Sequence, residues 1–104
     1  MIIIEKTPGE KIPYEIMKNN IFFNDEIMLN LEKYERDFEQ NIDICEDENF
    51  SLINGLGRRY VAQIVIPARA YTIEENETED EQEFSKVAVP FDLSKCTLIL
   101  WGLE

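Results

Sequence analysis

The stretch from Tyr60 to Ile66 constrains the fold more than any other part of the chain, because it is the longest run of strand-forming residues. It is apolar at every position except Gln63, so both of its faces are suited to burial. Pro67 follows and predicts a bulge or the end of regular pairing. The sequence therefore predicts a central strand, covered on both sides, with other strands arranged around it.

Shorter strand-like segments lie on either side of this run. Residues 2–4 and 12–17 are separated by turn residues and predict a first hairpin, and residues 42–44 and 50–53 predict a second one. The segment 84–91 resumes a strand pattern. The last segment, 96–101, is so apolar that we expect it to be paired or buried, because a free apolar strand promotes aggregation.

Between residues 25 and 39 the spacing of apolar residues changes. Four of them recur at intervals of four, three and four residues: Ile27, Leu31, Tyr34 and Phe38. This spacing predicts a helix near 25–39, with Asn24 as its N-cap. The alternation of Ile27, Leu29 and Leu31 also permits a strand that follows a turn at Asn24.

These patterns predict an α+β fold, mainly antiparallel β structure with about five to seven short strands and one helix near 25–39. An all-β sandwich or barrel is the alternative. A chain of 104 residues is long enough to bury one core, and it contains no internal repeat or linker. We therefore expect a single domain over residues 1–104.

Acidic side chains dominate the charge of the chain. The 22 Asp and Glu residues against 10 Lys and Arg residues give a net charge of −12. This charge repels nucleic acid and anionic membranes, so we expect a protein partner with a basic surface and no direct contact with nucleic acid or membrane. Residues 74–83 contain no hydrophobic side chain and predict an exposed, mobile acidic loop at a hairpin tip. The candidate partner-binding residues are Glu74, Glu75, Glu77, Glu79, Asp80, Glu81 and Glu83.

The residues that usually carry catalysis are scarce. Histidine is absent, and Cys45 and Cys96 are too far apart in sequence for a CxxC motif. We expect both cysteines to be reduced, buried packing residues. The glycine-containing segment 54–59 lacks the spacing of a phosphate-binding loop, and the acidic clusters lack that of a calcium loop. The sequence therefore predicts no catalytic residue, cofactor or metal site.

The aromatic residues of the C-terminal half could form a binding patch, but at strand spacing they are more typical of a core. They are Tyr60, Tyr71, Phe84, Phe91 and Trp101. No apolar run reaches the length of about 20 residues that a membrane span needs, and residues 1–4 lack the flanks of a signal peptide. We therefore expect a cytoplasmic location.

Four runs carry a resemblance to a known group of proteins: residues 29–36, 43–47, 59–64 and 96–101. They resemble those of small hypothetical proteins carried by prophages and integrative elements of low-GC bacteria. That group has no assigned activity, so the resemblance implies a mobile-element setting and identifies no functional residue.

Three functional hypotheses follow from the sequence. The preferred one is a non-enzymatic protein-interaction domain whose acidic surface binds a protein partner. The second is a nucleic-acid mimic that inhibits a DNA- or RNA-binding enzyme, and the third is a small structural or assembly component of a phage particle.

Overall fold

The computed structural model describes residues 1–77 and 82–103, with the side chains of residues 75–77 and 82–84 outside that description. The strands within it are β1 (Ile2–Glu5), β2 (Tyr14–Met17), β3 (Asn20–Phe23), β4 (Ile27–Asn30), β5 (Gln40–Glu46), β6 (Leu52–Asn54), β7 (Arg59–Ile66), β8 (Tyr71–Glu77), β9 (Gln82–Ala88) and β10 (Thr97–Leu100). Two short 3-10 turns, Leu31–Tyr34 and Leu93–Lys95, are the helical elements of the described chain. No helix among the described residues has the length and apolar character needed to cross a membrane.

Strand β7 lies at the centre of a five-stranded sheet with the order β1-β10-β7-β5-β6. It pairs antiparallel with β10 on one edge and with β5 on the other. Strand β1 pairs parallel with β10, so the C-terminal strand is docked between two neighbours. The central position of β7 and the pairing of the C-terminal strand are therefore confirmed, as is the hairpin formed by β5 and β6.

Strands β2, β3 and β4 form a separate antiparallel meander. Its apolar side chains join those of the five-stranded sheet in one buried cluster, to which the meander and its flanks contribute Ile12, Ile21, Phe23, Leu29 and Leu31. The five-stranded sheet contributes Ile42, Ile44, Val61, Ala62, Ile64, Ile66, Leu98 and Leu100. Each fully buried large apolar side chain contributes roughly 1.5–3 kcal/mol to folding, so this shared core holds the two sheets together.

The prediction of a helix over 25–39 is wrong, and with it the α+β class: the described chain is nearly all β. Asn24 and Asp25 have φ angles of 47° and 54°, and the Glu26 amide donates to the Phe23 carbonyl at 2.9 Å. This is a tight turn between β3 and β4, because Asn and Asp tolerate the left-handed region better than most residues. Residues 27–30 then follow as a strand, in agreement with the alternative interpretation of this segment.

The predicted first hairpin is also wrong, although both of its segments contain strands. β1 pairs with β10 from the other end of the chain, and β2 pairs with β3. The turn at residues 7–9 therefore carries the chain from one sheet to the other. Gly102 allows the residues after β10 to pack closely against this turn, because a Cβ atom at that position would clash with the Pro8 carbonyl oxygen.

Candidate functional site

The predicted acidic site lies on the hairpin formed by β8 and β9, which we call the arm (residues 71–77 and 82–88). Glu74, Glu75 and Glu77 belong to β8 and Glu83 to β9, so the strands extend well into the segment predicted as a loop. Glu79, Asp80 and Glu81 lie outside the described residues. The structure thus places four of the seven predicted residues on paired strands.

The arm pairs only with itself in the described chain. Its seven registered residue pairs run from Tyr71 opposite Ala88 to Glu77 opposite Gln82, and they form a two-stranded sheet of their own. The molecule measures 65 × 21 × 21 Å, and its radius of gyration is 18.1 Å. A compact domain of this length has a radius of gyration of about 13 Å. The elongation and the isolated pairing together indicate an arm that projects from the core.

Ion pairs and hydrogen bonds fix the base of the arm to the segment that precedes β5. The Arg69 guanidinium lies 3.3 Å from both the Glu35 and the Asp37 carboxylates. The Arg69 amide donates to the Arg36 carbonyl at 2.7 Å, and the Tyr71 hydroxyl donates to the Asp37 carboxylate. Hydrogen bonding to Tyr71 and then to Glu35 raises the pKa of Arg69. The base is therefore anchored to the segment before β5 through the Arg69 guanidinium and the Tyr71 hydroxyl.

Beyond its base the arm presents both apolar and charged groups to solvent. Ile73 is 74% exposed, Val87 is 37% exposed, and Glu74 is also exposed. The Lys86 ammonium lies 4.1 Å from the centroid of the Tyr71 ring, a cation–π contact. Ile73 and Lys86 occupy opposite positions in the register, so one face of the arm combines an aliphatic side chain with a positive charge.

The acidic positions of the arm are spread over both of its faces. Along β8, position 74 lies on one face and positions 75 and 77 lie on the other, since neighbours along a strand alternate. Position 83 lies opposite position 76. The acidic positions of the paired strands therefore fall on both faces of the arm.

A second surface is the outer face of the five-stranded sheet, which points away from the core. Its positions alternate with the core positions along each strand: Ile2, Ile4, Asn41, Asp43, Gln63, Val65, Thr97 and Ile99. All eight side chains are exposed or half-buried. The prediction that both faces of β7 are covered is therefore wrong, because Gln63 and Val65 keep contact with solvent.

A β-bulge adds an aromatic pair to the outer face. Cys45 lies opposite Tyr60 and Ile44 lies opposite Ala62, which leaves Val61 as an extra residue in β7. The extra residue turns Tyr60 to the outer face, where its ring stacks on Trp101 with 5.5 Å between centroids. This pair is half-exposed rather than part of the core, contrary to the expectation for these aromatics.

The stacked pair borders an open groove of about 500 Å³. Its other lining residues are Thr7, Pro8, Arg59 and Gly102. Arg59 is engaged on two sides, since it pairs with Glu46 at 3.1 Å and donates to the Leu103 carbonyl at 2.7 Å. This ion pair links β7 to β5 across the sheet. The groove offers an apolar, aromatic wall and no cluster of reactive side chains.

The two cysteines are buried, unpaired thiols. Cys45 and Cys96 are free and buried, which confirms their predicted role as packing residues. Burial raises the pKa of Cys96 to about 11 and also raises that of Cys45. Neither thiol is therefore activated as a nucleophile near neutral pH, since the thiolate is the reactive form. Among the described residues, no three His, Cys, Asp or Glu side chains are grouped to hold a metal ion.

No protein-family model, curated protein or solved structure matches this chain. The candidate site is therefore identified from the strand pairing, contacts and exposure of the described residues. The arm is the feature that carries four of the predicted residues on paired strands and also exposes Glu74, Ile73 and Val87. The Tyr60–Trp101 pair is a surface feature that the sequence pattern assigned to the core.

Proposed function

We propose that this chain is a non-enzymatic protein-interaction domain whose arm binds a basic surface on a protein partner. The observation that carries the proposal is the arm itself, a hairpin that pairs only with itself in the described chain and that, with the turn it spans, contains seven of the 22 acidic residues. The mobile-element setting and the cytoplasmic location belong to the same proposal.

The energetics of an isolated hairpin support this role. A two-stranded hairpin is at best marginally stable in water, and a third strand or a packed surface is usually needed to stabilise it. The described arm has Ile73 and Val87 exposed, and these side chains lose contact with water when a partner covers them. Burial on a partner would therefore stabilise the arm and the complex together.

The charge of the arm supports a basic partner. Its acidic residues are offset only by Lys86 between residues 71 and 88, whereas Glu46 and Glu35 elsewhere are paired with Arg59 and Arg69. Complementary charge accelerates encounter and excludes partners of like charge more than it raises affinity. The absence of histidine from the sequence and the raised pKa values of both thiols support a role without catalysis.

The test is affinity capture from a lysate of the native cells with three tagged baits, at low and at moderate salt. One bait is the unaltered chain, and a second has the six arm glutamates replaced by Gln: Glu74, Glu75, Glu77, Glu79, Glu81 and Glu83. The third is a charge-matched control in which five exposed Glu become Gln and one exposed Asp becomes Asn: Glu5, Glu10, Glu15, Glu39, Glu48 and Asp25. Removal of six negative charges from −12 leaves −6 in both variants.

The proposal predicts a protein that the unaltered chain and the control variant capture and that the arm variant loses. Equal loss with both variants would show that net charge alone is responsible and would contradict the proposal. Capture of a nucleic-acid enzyme that DNA or RNA displaces from the bait would replace the proposal by the mimic hypothesis.

A further inference from the structure

The open edge of β1 is the least protected backbone surface of the five-stranded sheet. Strand β1 ends the strand order, and all four of its residues are exposed. Ile2, Ile3 and Ile4 are 53%, 42% and 44% exposed. Natural proteins usually protect such an edge with a proline, a bulge or an inward-pointing charge, and residues 2–4 contain none of these.

The hydrogen bonds of β1 to β10 determine which backbone groups face the open edge. The Ile2 amide donates to the Cys96 carbonyl at 2.9 Å, and the Lys6 amide donates to the Leu100 carbonyl at 2.8 Å. Alternate residues of a parallel strand bond to the same neighbour, so residues 2, 4 and 6 face β10. The amides and carbonyls of Ile3 and Glu5 therefore face outward, where no other described strand pairs with them.

We infer that this edge binds the same edge of a second copy, antiparallel about a two-fold axis at Ile4. In this register Ile3 of each copy lies opposite Glu5 of the other, and the two pairs exchange four backbone hydrogen bonds. The two Ile4 residues face each other across the axis as a pair without backbone hydrogen bonds. The two five-stranded sheets join into one continuous sheet, and their outer faces adjoin.

Charge favours a second copy over a basic peptide at this edge. Residues 2–4 are uncharged, and Glu5 and Lys6 cancel each other, so the edge is neutral in a chain whose net charge is −12. A neutral edge is complementary to itself and gives a basic ligand little to recognise. The register about Ile4 also avoids the alternative about Glu5, in which two carboxylates would lie opposite each other.

The interface is small, so the dimer is weak and its formation depends on concentration. Interfaces well below about 1,200 Å² are typical of transient complexes. Because each copy carries a charge of −12, added salt screens the repulsion between copies and strengthens the dimer. A complex with a basic partner responds to salt in the opposite direction.

Disulfide trapping tests the register. In the inferred dimer two cysteines at position 4 have Cα atoms about 4.5 Å apart, within the range of a disulfide. Two cysteines at position 3 are displaced by two residues along the strands and lie about 8 Å apart, which is too far. Ile3→Cys is therefore a matched control for Ile4→Cys, because the two side chains are 42% and 44% exposed.

Both variants are incubated with oxidised glutathione, which accepts the two electrons and two protons of the new disulfide, and are then resolved on a non-reducing gel. We expect covalent dimers of Ile4→Cys, in an amount that rises with salt, and at least tenfold less dimer of Ile3→Cys. Equal trapping of both variants, or preferential trapping of Ile3→Cys, would overturn the register.

Sedimentation of the unaltered chain and of Ile3→Pro tests the interface without cysteines. The proline removes an outward-facing amide and none of the hydrogen bonds to β10, so circular dichroism should show that the sheet is retained while the concentration-dependent dimer is lost. A chain that sediments as a monomer up to about 1 mM, both at low salt and in about 0.5 M NaCl, would overturn the inference.

Discussion

The indole Nε1 of Trp101 donates a hydrogen bond to the Oε1 atom of Gln63 at 2.9 Å, which ties the residue after β10 to the centre of β7. The Gln63 amide in turn donates to the Asp43 carboxylate on β5 at 3.0 Å. Three neighbouring strands are therefore linked by side chains on the outer face, in a row that ends at the single tryptophan of the sequence. Trp101 fluorescence thus reports on the folding of the five-stranded sheet.

Trp101→Phe should lower the free energy of unfolding by about 1–2 kcal/mol, because it removes the donor to Gln63 and part of the stacked ring. Urea unfolding followed by circular dichroism measures the change. Tyr60→Phe is the matched control, since it keeps the ring that stacks on Trp101, and it should cost less than about 0.5 kcal/mol. Equal stability of all three proteins would show that the hydrogen bond contributes nothing.

Phe23→Ala should destabilise both sheets together. Phe23 is fully buried in the cluster shared by the meander and the five-stranded sheet, and its truncation should cost about 3–5 kcal/mol. Urea unfolding followed by Trp101 fluorescence measures this loss of stability in the five-stranded sheet, which is the sheet that does not contain Phe23. Phe38→Ala, at a position that is 63% exposed, should change stability by less than about 0.5 kcal/mol. A separate fluorescence transition that is unaffected by Phe23→Ala would mean that the sheets do not share a core.

Replacement of residues 72–87 by Asn-Gly should leave the core folded. The arm pairs only with itself in the described chain, and Tyr71 lies opposite Ala88, so a two-residue turn can connect these positions. Urea unfolding followed by Trp101 fluorescence measures the effect. We expect the free energy of unfolding to change by less than about 1 kcal/mol. Loss of the cooperative transition would show that the arm is part of the folding unit.

Stability should fall at alkaline pH because of Cys96. Burial raises the pKa of this thiol from 9.0 to about 11, so above pH 9 the unfolded chain releases a proton that the folded chain retains. The unfolded state then binds fewer protons, and the free energy of unfolding decreases as pH rises from 9 towards 11. Urea midpoints of the native chain and of Cys96→Ala between pH 7 and pH 11 test this. The free energy of unfolding of Cys96→Ala should decrease less over that range than that of the native chain. An equal decrease in the two proteins would show that Cys96 is not the cause.

The sequence predicted where most strands lie better than it predicted which strands pair with each other. Apolar runs such as residues 60–66 and 97–100 identify strands directly, since side-chain hydrophobicity determines which segments are buried. The pairing of β1 with β10 joins opposite ends of the chain, and no local turn signal encodes it. The expected hairpin failed for this reason, because turn residues at 7–9 fit a sheet-to-sheet connection equally well.

The helix error has a different origin. The apolar residues at 27, 31, 34 and 38 fit a helical period, but Asn24 and Asp25 form a turn with positive φ and direct the next residues into a strand. Phe38 is in fact exposed, so the apparent helical stripe does not form one buried face. Two overlapping periods in a short segment cannot be separated without the tertiary contacts that select one of them.

The candidate site was predicted in part. The acidic run marked the arm because dense like charge cannot be buried, but the extension of its strands was missed. The exposed Tyr60–Trp101 pair could not be predicted, since a bulge at Val61 reverses the face of Tyr60. Strict alternation along β7 places Tyr60 with Ala62 and Ile64 in the core, and no residue of this strand signals the bulge.

Hydrogen exchange of the full chain, free and bound to the captured partner, tests the proposed role of the arm most directly. In the free protein we expect fast exchange in the arm and slow exchange in β7, which is paired on both edges. Binding should slow exchange at residues 71–77 and 82–88 at least tenfold and leave β7 unchanged. Protection confined to another surface, such as the outer face, with unaltered exchange in the arm, would contradict the proposed function.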